Sequence, residues 1–126
     1  MTGAKVLLVD DSGLARRSTR RVLEEAGYAV VEAEDGLSAL EQFALEKPDV
    51  VLLDLVMKGM YGLDVLQKLR ELDPVARVIV ISADIQTSSR EKVLSAGAAA
   101  FINKPAAPGQ VVKTVAEVLA EDSRWS

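Results

Sequence analysis

Short apolar runs alternate with segments of helical periodicity along the whole chain, and this alternation limits the folds that it can adopt. The runs are rich in Val, Ile and Leu and predict buried parallel strands near residues 5–9, 29–33, 49–53, 77–81 and 99–102. The other segments predict helices near residues 13–26, 36–46, 63–72, 88–96 and 109–121. We expect these bounds to hold to within about two to four residues.

Residues that begin and end helices support these assignments. Ser12 is placed to cap the first helix and Gly27 to end it, and Asp35 is placed to cap the second. The sequence Ser88-Ser89-Arg90-Glu91 has the capping-box pattern, and Gly97 is expected to end the helix that follows. The last helix should bury one face, formed by Val111, Val115, Val118 and Leu119.

Repeated βα units with right-handed crossovers leave few sheet topologies. We predict an α/β fold with a doubly wound (βα)5 parallel sheet of flavodoxin-like order 2-1-3-4-5, in which the first and third strands are neighbours. The chain length of 126 residues is that of a single domain. We expect its core to span about residues 4–121, with residues 122–126 as a frayed tail.

Four of the predicted strands are followed closely by polar residues, whereas no obvious site residue follows the second strand. These residues are Asp10 and Asp11 after the first strand, Asp54 after the third, Ser82 after the fourth and Lys104 after the fifth. The carboxyl ends of parallel strands meet at one rim of the sheet, where ligands bind in open α/β folds. We therefore expect the three acids, the hydroxyl and the amine to converge there.

Those side chains fit a metal and phosphoryl site. Three carboxylates held close together repel one another, and a hard cation such as Mg²⁺ relieves that repulsion. Asp54 could act as a nucleophile toward a phosphoryl group, while Lys104 and Ser82 would contact the phosphoryl oxygens. Taken singly, an Asp after a strand is most simply a helix cap, Ser82 a turn hydroxyl and Lys104 a surface charge. The whole set at one rim favours the functional interpretation.

The composition excludes several other classes of site. His and Cys are both absent, so no Ser/His/Asp triad, Cys/His dyad, imidazole or thiolate zinc site, or disulfide framework can be built. A net charge of −4 makes nucleic acid a poor partner, and no apolar run is long enough to span a bilayer. No signal peptide precedes the first predicted strand, so we expect a cytoplasmic protein that does not bind membranes.

Four short motifs lie at the predicted rim: Leu8-Val9-Asp10-Asp11-Ser12, Asp54-Leu55-Val56-Met57 with Gly62, Ser82-Ala83, and Lys104-Pro105. With these motifs the chain resembles the receiver domains of two-component response regulators over nearly its whole length, and the single-domain chemotaxis regulators most closely in size. The resemblance implies a signalling switch that is not an enzyme, beyond assisting its own phosphorylation and dephosphorylation.

The resemblance also assigns the acids. Asp10, Asp11 and Asp54 would bind Mg²⁺ together with the backbone carbonyl of Val56. Asp54 would be the residue that is phosphorylated, by a histidine kinase or a histidine phosphotransfer protein. Lys58 stands where the family usually has proline, so we expect a more flexible loop after Asp54 and an added positive charge near the phosphate.

The remaining motif residues would read out the phosphoryl group. Ser82 would be the phosphate-sensing hydroxyl and Lys104 the invariant amine, with a cis peptide bond between Lys104 and Pro105. Phe101 falls where the family has its switch aromatic, and it is also compatible with a plain core position. Val56 and Asp84 would flank the route of the water that removes the phosphate.

Two surfaces are candidates for partner binding. The fourth helix, fifth strand and fifth helix would form the output face toward a downstream protein, with Arg90, Lys92, Val93, Gln110, Lys113 and Thr114. The first helix carries a basic stripe that is either a solvated face, partly paired with Glu24 and Glu25, or a docking patch for the phosphodonor: Arg16, Arg17, Arg20 and Arg21. We expect a monomer or a phosphorylation-linked homodimer, and Trp125 either packs on the domain or marks a junction.

Alternative functions follow from the same residues. A receiver that is never phosphorylated would act as a constitutive interaction domain. A Mg²⁺-dependent phosphohydrolase would usually place a second acid two residues after its nucleophile, where this chain has Val56. A Rossmann-type nucleotide site is disfavoured because the first turn, Asp10-Asp11-Ser12-Gly13, lacks the Gly-rich pattern and would repel a pyrophosphate.

Overall fold

The structure, a computed structural model, describes residues 3–57, 59, 61–83 and 87–121, and of residues 87 and 88 the backbone alone. The strands are β1 (Lys5–Val9), β2 (Ala29–Ala33), β3 (Val50–Asp54), β4 (Val78–Ser82) and β5 (Ala100–Asn103). The helices are α1 (Gly13–Glu25), α2 (Gly36–Glu46), α3 (Gly62–Leu72), α4 (Thr87–Ser95) and α5 (Pro108–Ala120). All strand pairs are parallel and their order is β2-β1-β3-β4-β5, which confirms the predicted fold class.

The central strands are buried because helices cover both faces of the sheet. Every residue of β3 and β4 is buried, as is β1 except for Lys5, whereas the edge strands β2 and β5 are only partly buried. In the ladder Asp54 lies opposite Ile81, and Ser82 lies opposite Asn103. Strands β3, β4 and β5 therefore end within about one residue of one another along the strand direction, so their last residues lie at one rim of the sheet.

Two apolar clusters form the core, one on each face of the sheet. On one face, α2, α3 and α4 pack on the strands through Ala39, Val65, Leu66, Leu69 and Val93. On the other face α1 contributes Leu23, and α5 contributes the four residues that its helical spacing predicted, Val111, Val115, Val118 and Leu119. Burial of these stripes, rather than helix propensity, provides most of the stability of helices this short.

The predicted helix ends are confirmed where the structure describes them. The Ser12 side chain accepts a hydrogen bond from the backbone N–H three residues on, at 3.2 Å. Asp35 accepts from the Ser38 backbone N–H at 2.8 Å, and the Ser38 hydroxyl accepts from the Asp35 N–H, which completes a capping box. Gly27 and Gly97, which follow α1 and α4, have φ values of 96° and 103°, a region that favours glycine.

Strands β3 and β4 each end one residue later than the sequence predicts. Asp54 and Ser82 are therefore the last residues of these strands rather than the first residues after them. The extension arises because ladder bonding continues beyond the apolar runs: Leu55 N–H donates to the Ile81 carbonyl at 2.9 Å, and Lys104 N–H donates to the Ser82 carbonyl at 2.8 Å. The sheet itself thus fixes the backbone of both site residues.

The prediction that Val93 lies on the output face is wrong. Val93 is only 1% exposed and belongs to the core, while its neighbour Leu94 is 40% exposed. Successive residues of a helix point about 100° apart, so adjacent apolar residues can differ in burial when the stripe that faces the strands is narrow. Leu94 therefore takes the outward position assigned to Val93, beside exposed Arg90 and Lys92.

Several sequence predictions lie outside the described residues. They concern Lys58, the Asp84 side chain, Trp125, the tail at residues 122–126, and the Ser88 side chain of the proposed capping box. Within the described part of the chain, none of the helices combines the length and the apolar character that crossing a bilayer requires.

Candidate functional site

Three carboxylates meet where neighbouring strands β1 and β3 end. Asp10 directly follows β1, Asp11 is next along the chain, and Asp54 ends β3. One carboxylate oxygen from each lies within 4.8 Å of the other two. Asp10 and Asp54 are 7% and 9% exposed, whereas Asp11 faces solvent. The site therefore has two buried acids, Asp10 and Asp54, and the exposed Asp11 lies on its solvent side.

Lys104 reaches this acid cluster from the end of β5. Its Nζ donates to Asp54 Oδ2 at 2.9 Å and lies 3.4 Å from Asp10 Oδ2. The hydrogen bond from Lys104 N–H to Ser82 ties its backbone to β4, and the Lys104–Pro105 peptide bond is cis. A cavity of about 490 Å³ opens beside Asp10, Asp54 and Lys104 and continues between α1 and α5.

Burial and charge act in opposite directions on Asp54. Burial raises the pKa of Asp54 above its ordinary value, and the nearby Asp10 charge adds to the rise, while the Lys104 ammonium and the Val56 N–H counteract part of it. Burial alone would lower the pKa of Lys104, but its contacts with Asp54 and Asp10 raise it, so the amine stays charged. The ionised acids are thus costly without a positive charge beside them.

The loop after Asp54 folds back tightly onto the strand. Val56 N–H donates to Asp54 Oδ1 at 3.2 Å, and the Val56 side chain is 61% exposed. Gly62 N–H donates to the Leu55 carbonyl at 2.7 Å, so α3 begins directly against the end of β3. A Cβ on Gly62 would lie 2.6 Å from Leu55 Cα, which explains why a glycine is needed there.

Ser82 and Phe101 lie on the two strands beyond β3. Ser82 ends β4 and is completely buried, next along the strand from Ile81, which pairs with Asp54. Phe101 lies on β5 opposite Val80 and is half-buried, packed against the core cluster on the α2–α3–α4 face. Phe101 therefore packs against the core and also lies on the strand next to the one that carries Ser82.

Sequence reasoning missed two residues at the back of the acid cluster. Arg16 was grouped with a basic stripe, but its guanidinium donates from Nη1 to the Asp10 carbonyl and from Nε to Glu32 Oε1 at 3.0 Å. Glu32 lies on β2, the strand thought to carry no site residue. No spacing rule links them, since Arg16 and Glu32 are 16 residues apart on different elements.

The i,i+4 pairs expected on α1 are present: Arg20 with Glu24 at 3.2 Å and Arg21 with Glu25 at 3.4 Å. Arg20 also pairs with Glu32 at 2.7 Å. The first helix is therefore less uniformly basic at its surface than the four arginines of the sequence suggest, because Arg16 and Arg20 are both engaged with Glu32.

The donor set fits a hard divalent cation. Every side-chain ligand it offers is a carboxylate oxygen, and Mg²⁺ is bound in proteins by one or two carboxylates with water and phosphate oxygens. The Lys104 ammonium pairs with two of the same carboxylates, those of Asp10 and Asp54. This is the arrangement expected where an amine and a metal ion both contact one phosphoryl group.

A parallel five-stranded sheet with acids and a lysine at its carboxyl rim is the architecture of a receiver domain, and the comparison with known families agrees. Residues 6–116 match the family described as "Response regulator receiver domain". The chain belongs to this family, which confirms the resemblance inferred from its motifs. Proteins of this class act in phosphorylation-dependent signalling.

Individual relatives cover most of the chain. It is 38% identical over 117 residues to the chemotaxis protein CheY of Thermotoga maritima, an alignment that spans 92% of this chain and 98% of that protein. A CheY-like receiver domain protein from Methanospirillum hungatei has a TM-score of 0.92 at 28% identity, covering 98% of this chain and 99% of the other. The CheX-CheY-BeF3-Mg+2 complex from Borrelia burgdorferi contains a chain with a TM-score of 0.87 at 32% identity, covering 91% and 88%.

Proposed function

We propose that this chain is a two-component switch that accepts a phosphoryl group on Asp54 from the phosphohistidine of a kinase or phosphotransfer protein. The observation that carries the proposal is the position of Asp54: it is buried, its Oδ2 lies 2.9 Å from the Lys104 ammonium, and one of its carboxylate oxygens lies within 4.8 Å of oxygens of Asp10 and Asp11. A structural ion pair would not require two further carboxylates, which only add repulsion.

In the proposed transfer, a carboxylate oxygen of Asp54 attacks phosphorus. A new O–P bond forms while the N–P bond of the donor breaks, and the donor imidazole nitrogen keeps the electron pair. Lys104, which already donates to Asp54 Oδ2, would then donate to an oxygen of the transferred group. The protein supplies placement and charge, and the phosphohistidine of the donor supplies the phosphoryl group.

Mg²⁺ would be held by the carboxylates of Asp10, Asp11 and Asp54 and by the Val56 backbone carbonyl. When bound, the ion neutralises the acids and the oxygens of the phosphoryl group. Two observations support this assignment: the all-oxygen donor set, with ligand atoms within 4.8 Å of one another, and the burial that makes the ionised Asp54 costly. A related CheY chain has been solved in a complex that includes Mg+2.

The readout would use Ser82 and Phe101. Ser82 is buried at the end of β4, and Phe101 lies half-buried on the adjacent β5. Movement of the Ser82 region toward a phosphorylated Asp54 would free space into which Phe101 could turn. The change would reach partners through the face of α4, β5 and α5, where Arg90, Lys92 and Leu94 are exposed.

A downstream protein would recognise this face, and the chain would act as a monomer or as a phosphorylation-linked homodimer. The related CheY of Borrelia burgdorferi was solved with CheX, so a protein partner is in keeping with the class. We also propose that the chain is a single receiver domain with a core over residues 4–121 and that it acts in the cytoplasm.

The test is the intact mass of the full chain after incubation with an acyl phosphate and Mg²⁺. We expect one added phosphoryl group, which disappears when Mg²⁺ is chelated and in Asp54→Asn. Asp64→Asn is the matched control, since Asp64 is an exposed acid on the first turn of α3 that does not belong to the group of Asp10, Asp11 and Asp54. Uptake that survives in Asp54→Asn would refute the assignment of the acceptor.

The same preparation tests the alternatives. No uptake by folded wild-type protein, from the acyl phosphate or from a phosphorylated histidine donor, would favour a constitutive interaction domain. Release of phosphate from small phosphomonoesters over many turnovers would favour a phosphohydrolase. The exposed Val56, which has no acidic group at the position such enzymes use, argues against that second outcome.

A further inference from the structure

Every polar atom of Asp10 has a partner in the structure. Its N–H donates to the Ala33 carbonyl at the end of β2, at 3.2 Å. Its Oδ1 accepts from Ser12 N–H at 2.9 Å, and its Oδ2 lies 3.4 Å from Lys104 Nζ. Its carbonyl accepts from Arg16 Nη1, the contact that the metal and phosphoryl chemistry does not explain.

Arg16 is held in place from the opposite side. Its Nε donates to Glu32 Oε1 at 3.0 Å, and Glu32 Oε2 accepts from Arg20 Nη1 at 2.7 Å. The Arg16 side chain is only 16% exposed, compared with 82% for Arg21 on the same helix. A planar guanidinium that is fixed on two sides cannot turn freely, so it holds the carbonyl that it contacts.

The carbonyl that Arg16 contacts belongs to the peptide unit between Asp10 and Asp11. A peptide unit is planar, so fixing its oxygen also fixes the direction in which the chain leaves Asp10 toward Asp11. The relative orientation of the two carboxylates depends on that direction. Edge strand β2, which supplies no ligand, thereby reaches the acid cluster through Glu32 and Arg16.

We propose that Arg16, anchored by Glu32, is a positioning residue that orients the Asp10 and Asp11 carboxylates for a divalent cation. This inference rests on the Mg²⁺ site proposed above and extends it to a side chain that does not touch the ion. Outer contacts of this kind orient metal ligands, and their loss typically weakens metal binding by about 10- to 100-fold.

Electrostatics alone predicts the opposite sign. Arg16 carries a positive charge next to the acids, and a like charge repels an incoming cation. If Arg16 acted only through its charge, Arg16→Gln would bind Mg²⁺ more tightly. If Arg16 positions the ligands, the same substitution binds Mg²⁺ more weakly, so the direction of the change distinguishes the two explanations.

The experiment measures the Mg²⁺ dissociation constant of the full chain by isothermal titration calorimetry. We expect Arg16→Gln to bind roughly tenfold more weakly than wild type. Arg21→Gln is the matched control because it removes one arginine and one ion pair from the same helix, at an exposed site. It should leave the constant unchanged. Equal or tighter binding by Arg16→Gln would overturn the proposal.

A second readout separates positioning from a loss of stability. Mg²⁺ demands near-ideal octahedral geometry, whereas Ca²⁺ tolerates irregular sites. Arg16→Gln should therefore lose more affinity for Mg²⁺ than for Ca²⁺, while a uniform loss for both ions would count against positioning. Should Arg16→Gln fail to fold, Arg16→Lys and Glu32→Gln answer the same question, since each keeps part of the network. An unchanged preference for Mg²⁺ over Ca²⁺ in both variants would overturn the proposal.

The two proposals fail in different ways. Wild-type protein that binds no Mg²⁺ would remove the proposed metal site and this inference with it. Wild-type protein that binds Mg²⁺ with Arg16→Gln unaffected would leave the metal site standing and remove only the positioning role of Arg16.

Discussion

The contact between Gly62 and the end of β3 leads to a specific prediction about Gly62→Ala. A Cβ built on Gly62 would lie 2.6 Å from Leu55 Cα, 2.7 Å from the Asp54 carbonyl oxygen and 2.8 Å from the Leu55 carbonyl oxygen. All three neighbours are backbone atoms, so no side chain can rotate away. The added methyl group must therefore displace the strand end or the first turn of α3.

The displacement can be estimated from these distances. Ordinary contact begins near 3.4 Å, so the nearest pair must separate by about 0.8 Å. Overpacking of this kind costs about 1–3 kcal/mol, which lowers Tm by roughly 4 °C per kcal/mol in a domain of this size. The backbone that moves carries Asp54, so we also expect weaker Mg²⁺ binding and slower phosphorylation.

Gly109→Ala is the matched control, because Gly109 lies in the first turn of α5 and, apart from its chain neighbours and its own helix backbone, no atom lies within 4 Å of the added Cβ. It should be neutral or stabilising by up to about 1 kcal/mol. Thermal unfolding and the intact-mass assay would be run on both variants beside wild type. A Gly62→Ala protein as stable as wild type and phosphorylated at the same rate would refute the argument from close approach.

Three further predictions follow from the ion pairs and the core. The hydrogen bonds from Arg20, the stronger influence, and from Arg16 hold the pKa of Glu32 below its ordinary 4.5. Glu32 therefore stabilises the fold above pH 4.5, and this stabilisation is lost as the pH falls through the lowered pKa. The difference in Tm between wild type and Glu32→Gln should disappear in acid, and a difference independent of pH would contradict this. Lys104→Met removes the ammonium that neutralises the acids, so Mg²⁺ should raise its Tm more than it raises that of wild type, and an equal rise would count against shared electrostatics. Leu7→Ala, at a fully buried position of central strand β1, should cost about 2–5 kcal/mol in urea unfolding, and a loss below about 1 kcal/mol would show that the core had refilled the space.

The elements themselves could be predicted because their signals are local. Apolar runs of strand length, Ser12 and Asp35 as caps, and the buried stripe of α5 each depend on residues a few positions apart. Chirality and the requirement to bury both sheet faces then restrict the strand order to very few choices. That is why Asp10 and Lys104 could be placed at one rim although 94 residues separate them.

The details of contact between elements could not be predicted in this way. Val93 and Leu94 are adjacent and similar in character, and only the packing of α4 on the sheet decides which one is buried. The Arg16–Glu32 pair joins a helix to an edge strand, so no spacing along the chain marks it.

The sequence by itself determined the fold class, the capped helices and the identity of the side chains at the rim, because periodicity, turn chemistry and crossover handedness act locally or follow from general rules. Only the tertiary structure decided how closely these side chains approach: the bond from Lys104 to Asp54, the absence of room for a Cβ on Gly62, and the support of the Asp10 carbonyl by Arg16. The physical reason is that such distances depend on strand register and on how helices seat against the sheet, which are settled by the packing of all the elements together.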